Sequence, residues 1–501
     1  MKLEVADLAV IILYNLIVLA MGIGFFRKTK TSDQFMAAGR NLPGWAVGLS
    51  IFGSYVSSIS FLANPGVAYG ENWNAAVFAF SMPLGALIAV LWFVPFYRKA
   101  GEVSAYTHLE HRFGAWARSY AVICYLLMQL ARLGTILYLL ALAIEPLIGG
   151  GPGVVTTTII VLGIVVVIYP FLGGTEAVIW TGVLQALILI AGALACVFVL
   201  LNGVPGGPEK IFEIAEADNK FSMGSLTDWD LAAQTFWVVM CYGLVEHLRN
   251  FGVDQAYVQR YITAKSDGAA TRSIWLGTFL FIPISLTFFF IGTALYAYYK
   301  LQPGLLPADI AADKVFPYFI ANQLPAGLTG LVIAAICAAA MDSNLNSVAT
   351  LMLEDLYLRY FRPNASEKES VWVLRWSVII MGILSIVAGI AMQGYESALK
   401  VWWQLAGIFG GGVLGLFLLG LVSRRAGNLS GLIGVTCGVL VIIWMTFSPK
   451  LPDAYAAIRN PLHGFMIPVI GTGVILVVGL LVSLIEPARP AAEPDSAAAS
   501  T

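Results

Sequence analysis

Charge is what this sequence has least of. Lys, Arg, Asp and Glu make up 11% of its 501 residues, where a soluble domain carries about 25%. So few charges do not cover a water-exposed surface. The 28 basic and 29 acidic residues balance to a net charge of −1, which excludes the basic excess of a nucleic-acid binder. Cysteine is scarce too. Cys124, Cys196, Cys241, Cys337 and Cys437 all fall in apolar runs with no CxxC or Cys/His spacing, so they read as small core residues and exclude a disulfide scaffold. His108, His111 and His463 have no metal-ligand spacing. No HExxH, GxSxG, P-loop or paired catalytic carboxylates occur, and the chain reads as a non-enzyme without a cofactor. Long polar stretches are also missing. The longest loops, near 204–230, 299–324 and 353–375, are too short for a separate soluble core.

What is abundant is apolar length. The chain is 59% hydrophobic with 50 Gly and 22 Pro, and its mean hydropathy is +0.83. Runs of roughly 20 apolar residues are the unit that spans a bilayer. They predict an all-α polytopic membrane protein with about thirteen transmembrane helices, at 5–26, 43–68, 74–97, 119–148, 154–172, 177–203, 231–252, 275–298, 325–352, 376–394, 401–423, 429–447 and 462–485. The first run lacks a small-residue cleavage site and continues into a basic loop, which predicts a retained helix. Lys and Arg set the orientation. Nineteen lie in the loops after spans one, three, seven, nine and eleven and in the tail, against eight on the other side. The amino terminus is therefore expected outside and the carboxy terminus in the cytoplasm. The tail 486–501, rich in Ala, Pro and Ser, is expected to be disordered.

Setting aside the first span and the last two leaves ten. The five in 43–203 and the five in 231–425 begin on opposite faces of the membrane, so a repeat between them is inverted. The remaining segments are then 1–42, an extra helix with a basic loop; 204–230, an extracellular loop; and 426–485, two accessory helices. The first member of each half is interrupted. Span two carries Gly48, Gly53, Ser54, Ser57, Ser58, Ser60, Pro65 and Gly66; span seven carries Gly243, Glu246, His247, Arg249, Asn250, Gly252 and Asp254. Paired broken helices at matching places point to a transporter's midplane site, where unwound backbone survives only if it lines a cavity. Kinked helices with polar interfacial ends are the alternative.

Four segments give the pattern a family. DQFMAAGRNLPGWAVGLSIFGSYVSSISFLANPGVAYG (33–70), GGTEAVIWTGVLQ (173–185), DQAYVQRYITAKS (254–266) and AAAMDSNLNSVATLMLEDLY (338–357) resemble signature segments of the sodium:solute symporter family. That family includes the sodium–sugar, sodium–proline and sodium–sialic acid cotransporters, and the chain is most similar in character to the bacterial sialic-acid type. The resemblance implies a leucine-transporter-like five-plus-five inverted repeat, with one helix before it and two after.

It also implies a sodium site between the first and eighth core helices. Carried over, the carbonyls of Gly53 and Val56 face the AAAMDSN segment. There the chain departs from the family's wording, being about three residues shorter. Counting from the upstream side puts Ala339 as a carbonyl donor with Asp342 and Ser343 in place of the usual hydroxyl pair. Counting from the LNS side puts Ala339 and Ala340 there and removes the pair. The first alignment is favoured, since an anionic ligand binds a cation at least as well as a hydroxyl does; an Asp342 that caps a neighbouring helix is the alternative. Gly182 stands where many relatives have Asp, which implies a single coupling ion.

Arg132 is mid-span, with no other charged residue from 119 to 144. Burying it costs about 2.5–3.5 kcal/mol on insertion scales, so it is expected to face a cavity and a partner. A guanidinium fork suits a carboxylate, and the sialic-acid members resemble this chain in having Arg there. Pairing with an internal acid such as Glu246 is the alternative. Tyr55, Ser57, Ser58 and Ser60 are candidates for hydroxyls and an aromatic wall. Glu246, Asn250, Gln255 and Gln404 are further substrate-site candidates, while solvated helix ends account equally well for Arg249 and Asp254. Ala79, Tyr55 and Phe281 differ from the residues of sialic-acid or sugar carriers, which leaves a sialic acid, a smaller sugar acid or a monocarboxylate open.

The expectation is a sodium-coupled secondary active symporter of a cell inner (plasma) membrane. It imports a small polar, carboxylate-bearing solute by alternating access, with sodium as the coupling ion and the solute and bilayer as partners. A proton-coupled or uncoupled carrier, or a sodium–sugar symporter, on the same fold is the alternative.

Overall fold

The computed structural model describes residues 3–26, 29–149, 153–340, 344–394 and 398–486. Among them, nine helices are long and apolar enough to cross a membrane. A tenth span results if Gly44–Tyr55 and Ser60–Gly70, bent by 50° at their junction, are counted as one. The all-helical polytopic architecture is present, but that measure yields nine or ten spans and not thirteen. The other three expected spans are helical and fall short for physical reasons. Val154–Ile168 and Leu328–Ala338 are short. Phe236–Val253 carries Glu246, His247, Arg249 and Asn250, which lower its hydropathy.

The helices are labelled in chain order: α1 (Val5–Phe26), α2 (Gly44–Tyr55), α3 (Ser58–Gly70), α4 (Asn74–Ala100), α5 (Ala115–Ile148), α6 (Val154–Gly203), α7 (Phe236–Val253) and α8 (Gln255–Ile262). Then follow α9 (Asp267–Leu301), α10 (Ala312–Asn322), α11 (Leu328–Ala340), α12 (Asn344–Leu351), α13 (Glu367–Ala391), α14 (Ala398–Val422), α15 (Asn428–Phe447) and α16 (Met466–Ser483). Exposed Leu13, Leu16, Leu91, Ile123, Leu187, Leu194, Phe198, Ile383, Val387, Leu440 and Leu481 form apolar outer faces. Such faces are expected where the solvent is lipid.

Spans 154–172 and 177–203 run together as the single helical stretch α6, interrupted only at Gly174 (φ 58, ψ −154). No polar loop separates them, so Pro170 and Gly174 make the bend within the helix. A Cβ at Gly174 would lie 2.8 Å from the Phe35 carbonyl oxygen, so both its left-handed backbone and its neighbour require glycine.

The broken helices α2/α3 and α7/α8 occupy the centre. α2 packs on α6 and α9, α3 on α9 and α10, and α7 on α4 and α14. α5 lies against α6, α13 and α14; α15 and α16 pack together beside α14. α1 leans on α6 and α11. Its Asp7 fastens that contact by accepting from the backbone N–H groups of Gly327 (2.8 Å) and Gly330 (2.7 Å) at the start of α11, satisfying donors a helix start leaves open. Three cysteines are buried as expected; Cys437 is half-buried and Cys241 is exposed.

Candidate functional site

The glycines and serines of span two do interrupt a helix. α2 ends at Tyr55; Val56 (φ −90, ψ 86) and Ser57 (φ −83, ψ 168) leave helical geometry before α3 begins at Ser58. A helix end leaves its last carbonyls without intrahelical partners. Arg132, half-buried on α5, donates from its guanidinium to one of them, the Ser54 carbonyl, at 3.3 Å. The mid-span guanidinium and the freed carbonyl end therefore meet. Tyr55 is buried in an aromatic cluster with Tyr257, Phe281, His247 and Phe251, its ring centroid 4.7, 5.4, 5.6 and 5.6 Å from theirs. Asn250 lies beside its hydroxyl. Ser57 is buried and Ser60 half-buried. Of Ser58 and Gln404 only the helical backbone is described.

The second broken helix is more polar inside than a solvated helix end. Arg249 and Asp254 are buried, at 7% and 2% exposure. Arg249 pairs with Glu246 (2.6 and 3.1 Å) and meets the Met128 sulfur at 2.9 Å. Glu246 is thus engaged by Arg249 of its own helix. Gly410 on α14 makes room, since a Cβ there would lie 3.0 Å from the Arg249 Cδ. Met128 and Arg132 are one turn apart on α5, so two guanidiniums lie along one face of that helix. Asp254 (φ −80, ψ 114) separates α7 from α8 and accepts from the Ala256 N–H at 2.9 Å, as an N-cap does. Gln255 was expected to line the path. Its amide instead donates to the Val103 carbonyl and accepts from the Ala105 N–H, both at 2.8 Å, and the residue is fully buried.

On the ion-site side, α2 and α6 approach at Gly53 and Gly182. A Cβ on Gly53 would meet the Gly182 carbonyl at 3.3 Å, and one on Gly182 would meet the Ser50 Oγ at 2.8 Å. Ser50 accepts from the buried Arg260 guanidinium at 3.2 Å. A side chain at Gly182 therefore has no room beside Ser50. α11 is described as far as Ala340 and α12 from Asn344, whose amide donates to Gln129 on α5 at 2.7 Å. Asp342 and Ser343 lie outside the described residues, and of Ala339 only the backbone is described.

Near the basic loops, sequence reading missed a dense seal. The Tyr97 hydroxyl donates to the Gly252 carbonyl at 2.6 Å, with the Ala105 carbonyl 3.2 Å away. The Tyr106 hydroxyl donates to the Val253 carbonyl at 2.8 Å. Leu42 bridges the strand-like end of α8 through the Thr263 carbonyl (3.0 Å) and the Lys265 N–H (3.1 Å). Asp355 holds Ser104 (2.9 Å) and Arg118; Glu110 holds Arg118 (3.0 Å) and Arg359. Most of these partners lie far apart in sequence, Arg118 and Asp355 by 237 residues and Tyr97 and Gly252 by 155, and no local pattern marks them. In this loop burial, with Arg112 and His111 nearby, pushes the His108 imidazole down to about 4.

At the opposite end lie two cavities. One, about 280 Å³, is bounded by Gln234, Tyr242, Glu246, His463 and Phe465. The other, about 240 Å³, lies between α3, α5 and α10.

Known transport proteins resemble this chain over nearly its whole length. The sodium/sialic acid symporter NanT of Aliivibrio fischeri is 32% identical over 93% of this chain and 90% of its own. The sodium/sialic acid symporter SiaT of Proteus mirabilis is 32% identical over 97% of each. A substrate-bound, outward-open sodium-coupled sialic acid symporter superposes with a TM-score of 0.87 at 31% identity, covering 97% of this chain and 99% of that one. The nucleobase-cation-symport-1 transporter Mhp1, in a closed conformation, shares the fold at 14% identity, with a TM-score of 0.55 over 91% of this chain and 96% of its own. The family model described as the sodium:solute symporter family matches residues 35–438, and the chain belongs to that family.

Proposed function

We propose that this protein is a sodium-coupled secondary active symporter that imports a small carboxylate-bearing solute by alternating access. The observation that carries the reading is Arg132 donating to the Ser54 carbonyl, where the first broken helix frees its backbone. Transport proteins at 32% identity that are named for sodium and sialic acid support it. Sodium sits with the carbonyls of Gly53, Val56 and Ala339 and the side chains of Asp342 and Ser343. The closed approach of Gly182 to Ser50 supports a single coupling ion. The solute's carboxylate docks on Arg132, with Tyr55, Ser57, Ser58, Ser60, Asn250 and Gln404 around it; Glu246 neutralises Arg249, and Gln255 positions the 103–105 loop.

The two halves, 43–203 and 231–425, form an inverted repeat of ten spans within a total of thirteen. The basic loops face the cytoplasm and the amino terminus lies outside. The seal at the basic loops and the cavities at the other end correspond to a form closed to the cytoplasm. Sodium and solute enter from outside, and each must bind one form better than the other for coupling to arise. The membrane potential contributes about 2.3 kcal/mol per charge per 100 mV.

The test is uptake into proteoliposomes of N-acetylneuraminate and of its uncharged methyl ester. Wild type takes up the acid and not the ester, and Arg132→Gln loses at least about a hundredfold in acid uptake, about 2.7 kcal/mol. Equal uptake of acid and ester contradicts the reading. A proton-driven carrier on the same fold is the second reading, favoured by the shortened AAAMDSNLNS segment.

A further inference from the structure

The cavity between α3, α5 and α10 is lined by Leu139, Leu142, Ala63 and Tyr318, with Lys314 and Glu145 as its only charged side chains among the described residues. Lys314 is exposed on α10 and Glu145 half-buried on α5, and no ion pair joins them among the described residues. The cavity stands above the proposed solute site. Leu139 is seven residues beyond Arg132, on the same face of α5 and about 10 Å further along it; Glu145 is about 20 Å further. Ala63 lies less than two turns beyond the break at Ser57. At about 240 Å³ the space is slightly below the roughly 300–1,000 Å³ of small-ligand clefts.

We propose that this cavity is a transient docking site for the transported organic anion, with Lys314 receiving its carboxylate before it descends to Arg132. This rests on the functional reading above and adds a second binding station. The apolar wall and Tyr318 take the solute's carbon skeleton. The ammonium of Lys314 attracts the carboxylate from solution, and a charged cleft with low-dielectric walls raises local solute concentration. Glu145 opposes the arriving anion. Once the solute has moved down, it attracts Lys314 in its place, so the anion is not held at the mouth. A simple latch between Lys314 and Glu145 predicts instead that losing either charge has the same effect.

The experiment measures initial uptake of N-acetylneuraminate by wild type, Lys314→Gln, Lys314→Glu and Glu145→Gln in proteoliposomes, at about 20 and 300 mM choline chloride with sodium fixed. Size-exclusion profiles confirm that each variant is folded. The site predicts a half-saturation concentration raised about fivefold by Lys314→Gln and tenfold or more by Lys314→Glu, with maximal rate changed less than twofold. It predicts a half-saturation lowered about twofold by Glu145→Gln, and wild-type half-saturation rising with salt while that of Lys314→Gln stays flat. Unchanged half-saturation in both lysine variants overturns the docking site while wild-type uptake leaves the functional reading standing. A shift of the same sign in the Lys314 and Glu145 variants replaces the docking site by a latch. Absence of wild-type uptake of N-acetylneuraminate, gluconate and lactate alike ends the functional reading and the docking site together.

Discussion

The two ends of this bundle are built from opposite materials. Around the basic loops, tyrosine hydroxyls, an amide and two arginines close on backbone carbonyls, the buried Asp355 and the half-buried Glu110. At the other end the described ion pairs are exposed, as Lys210–Glu213 is, and two cavities of about 240 and 280 Å³ remain. Buried polar networks specify one arrangement because an unsatisfied member is costly; exposed pairs contribute little. The difference teaches that the basic end is held by many discrete buried contacts, while the opposite end, apart from the buried Lys220 on the Tyr69 and Glu71 carbonyls, keeps open volume.

Breaking the seal is the strongest way to erase that contrast. Arg118→Ala strands the fully buried Asp355 carboxylate, and removing one partner of a buried pair costs about 3–5 kcal/mol. Hydrogen exchange across 98–118 and 354–361 should accelerate sharply while the opposite end is unchanged. Tyr97→Phe removes one donor and leaves the Gly252 carbonyl unmet, so about 1–3 kcal/mol is expected, read as a smaller acceleration in the same segments. His108 supplies a pH test of the same end. Its folded value of about 4 lies below the ordinary 6.5, so the unfolded chain binds the proton first. Stability is then lost as pH falls from about 6.5 towards 4, by at most about 1.4 kcal/mol per pH unit. His108→Gln should flatten that part of the pH profile of the thermal midpoint. At the other end, Lys210→Ala should change stability by no more than about 0.5 kcal/mol; a larger loss would mean that end is braced as well.

The sequence made the spans and the first break legible because both are local. Apolar runs mark helices, and the Gly/Ser-rich stretch around Ser54–Ser60 marks the loss of helix at Val56 and Ser57. Arg132 was legible because a lone charge stands out in an apolar run. Arg249 and Asp254 were ambiguous, since a polar helix end looks the same whether water or protein covers it. For Arg249 the Glu246 pair, the Met128 contact and the close approach of Gly410 decide for burial, and for Asp254 its 2% exposure does. The seal was not legible at all. Arg118 meets Asp355 across 237 residues and Gln255 meets Val103 across 152, and no periodicity encodes such pairings. The bend that fuses 154–172 with 177–203 was hidden because Pro170 and Gly174 look like punctuation between spans.

The central claim, that a cation held at the first broken helix drives the solute past a sealed basic end, is tested most directly by one measurement. Accumulation of N-acetylneuraminate in proteoliposomes is followed at fixed pH while an inward sodium gradient is titrated against choline. The account predicts accumulation above the external concentration that saturates with sodium and vanishes in choline. Equal accumulation in choline, or accumulation that follows an imposed proton gradient alone, would contradict it.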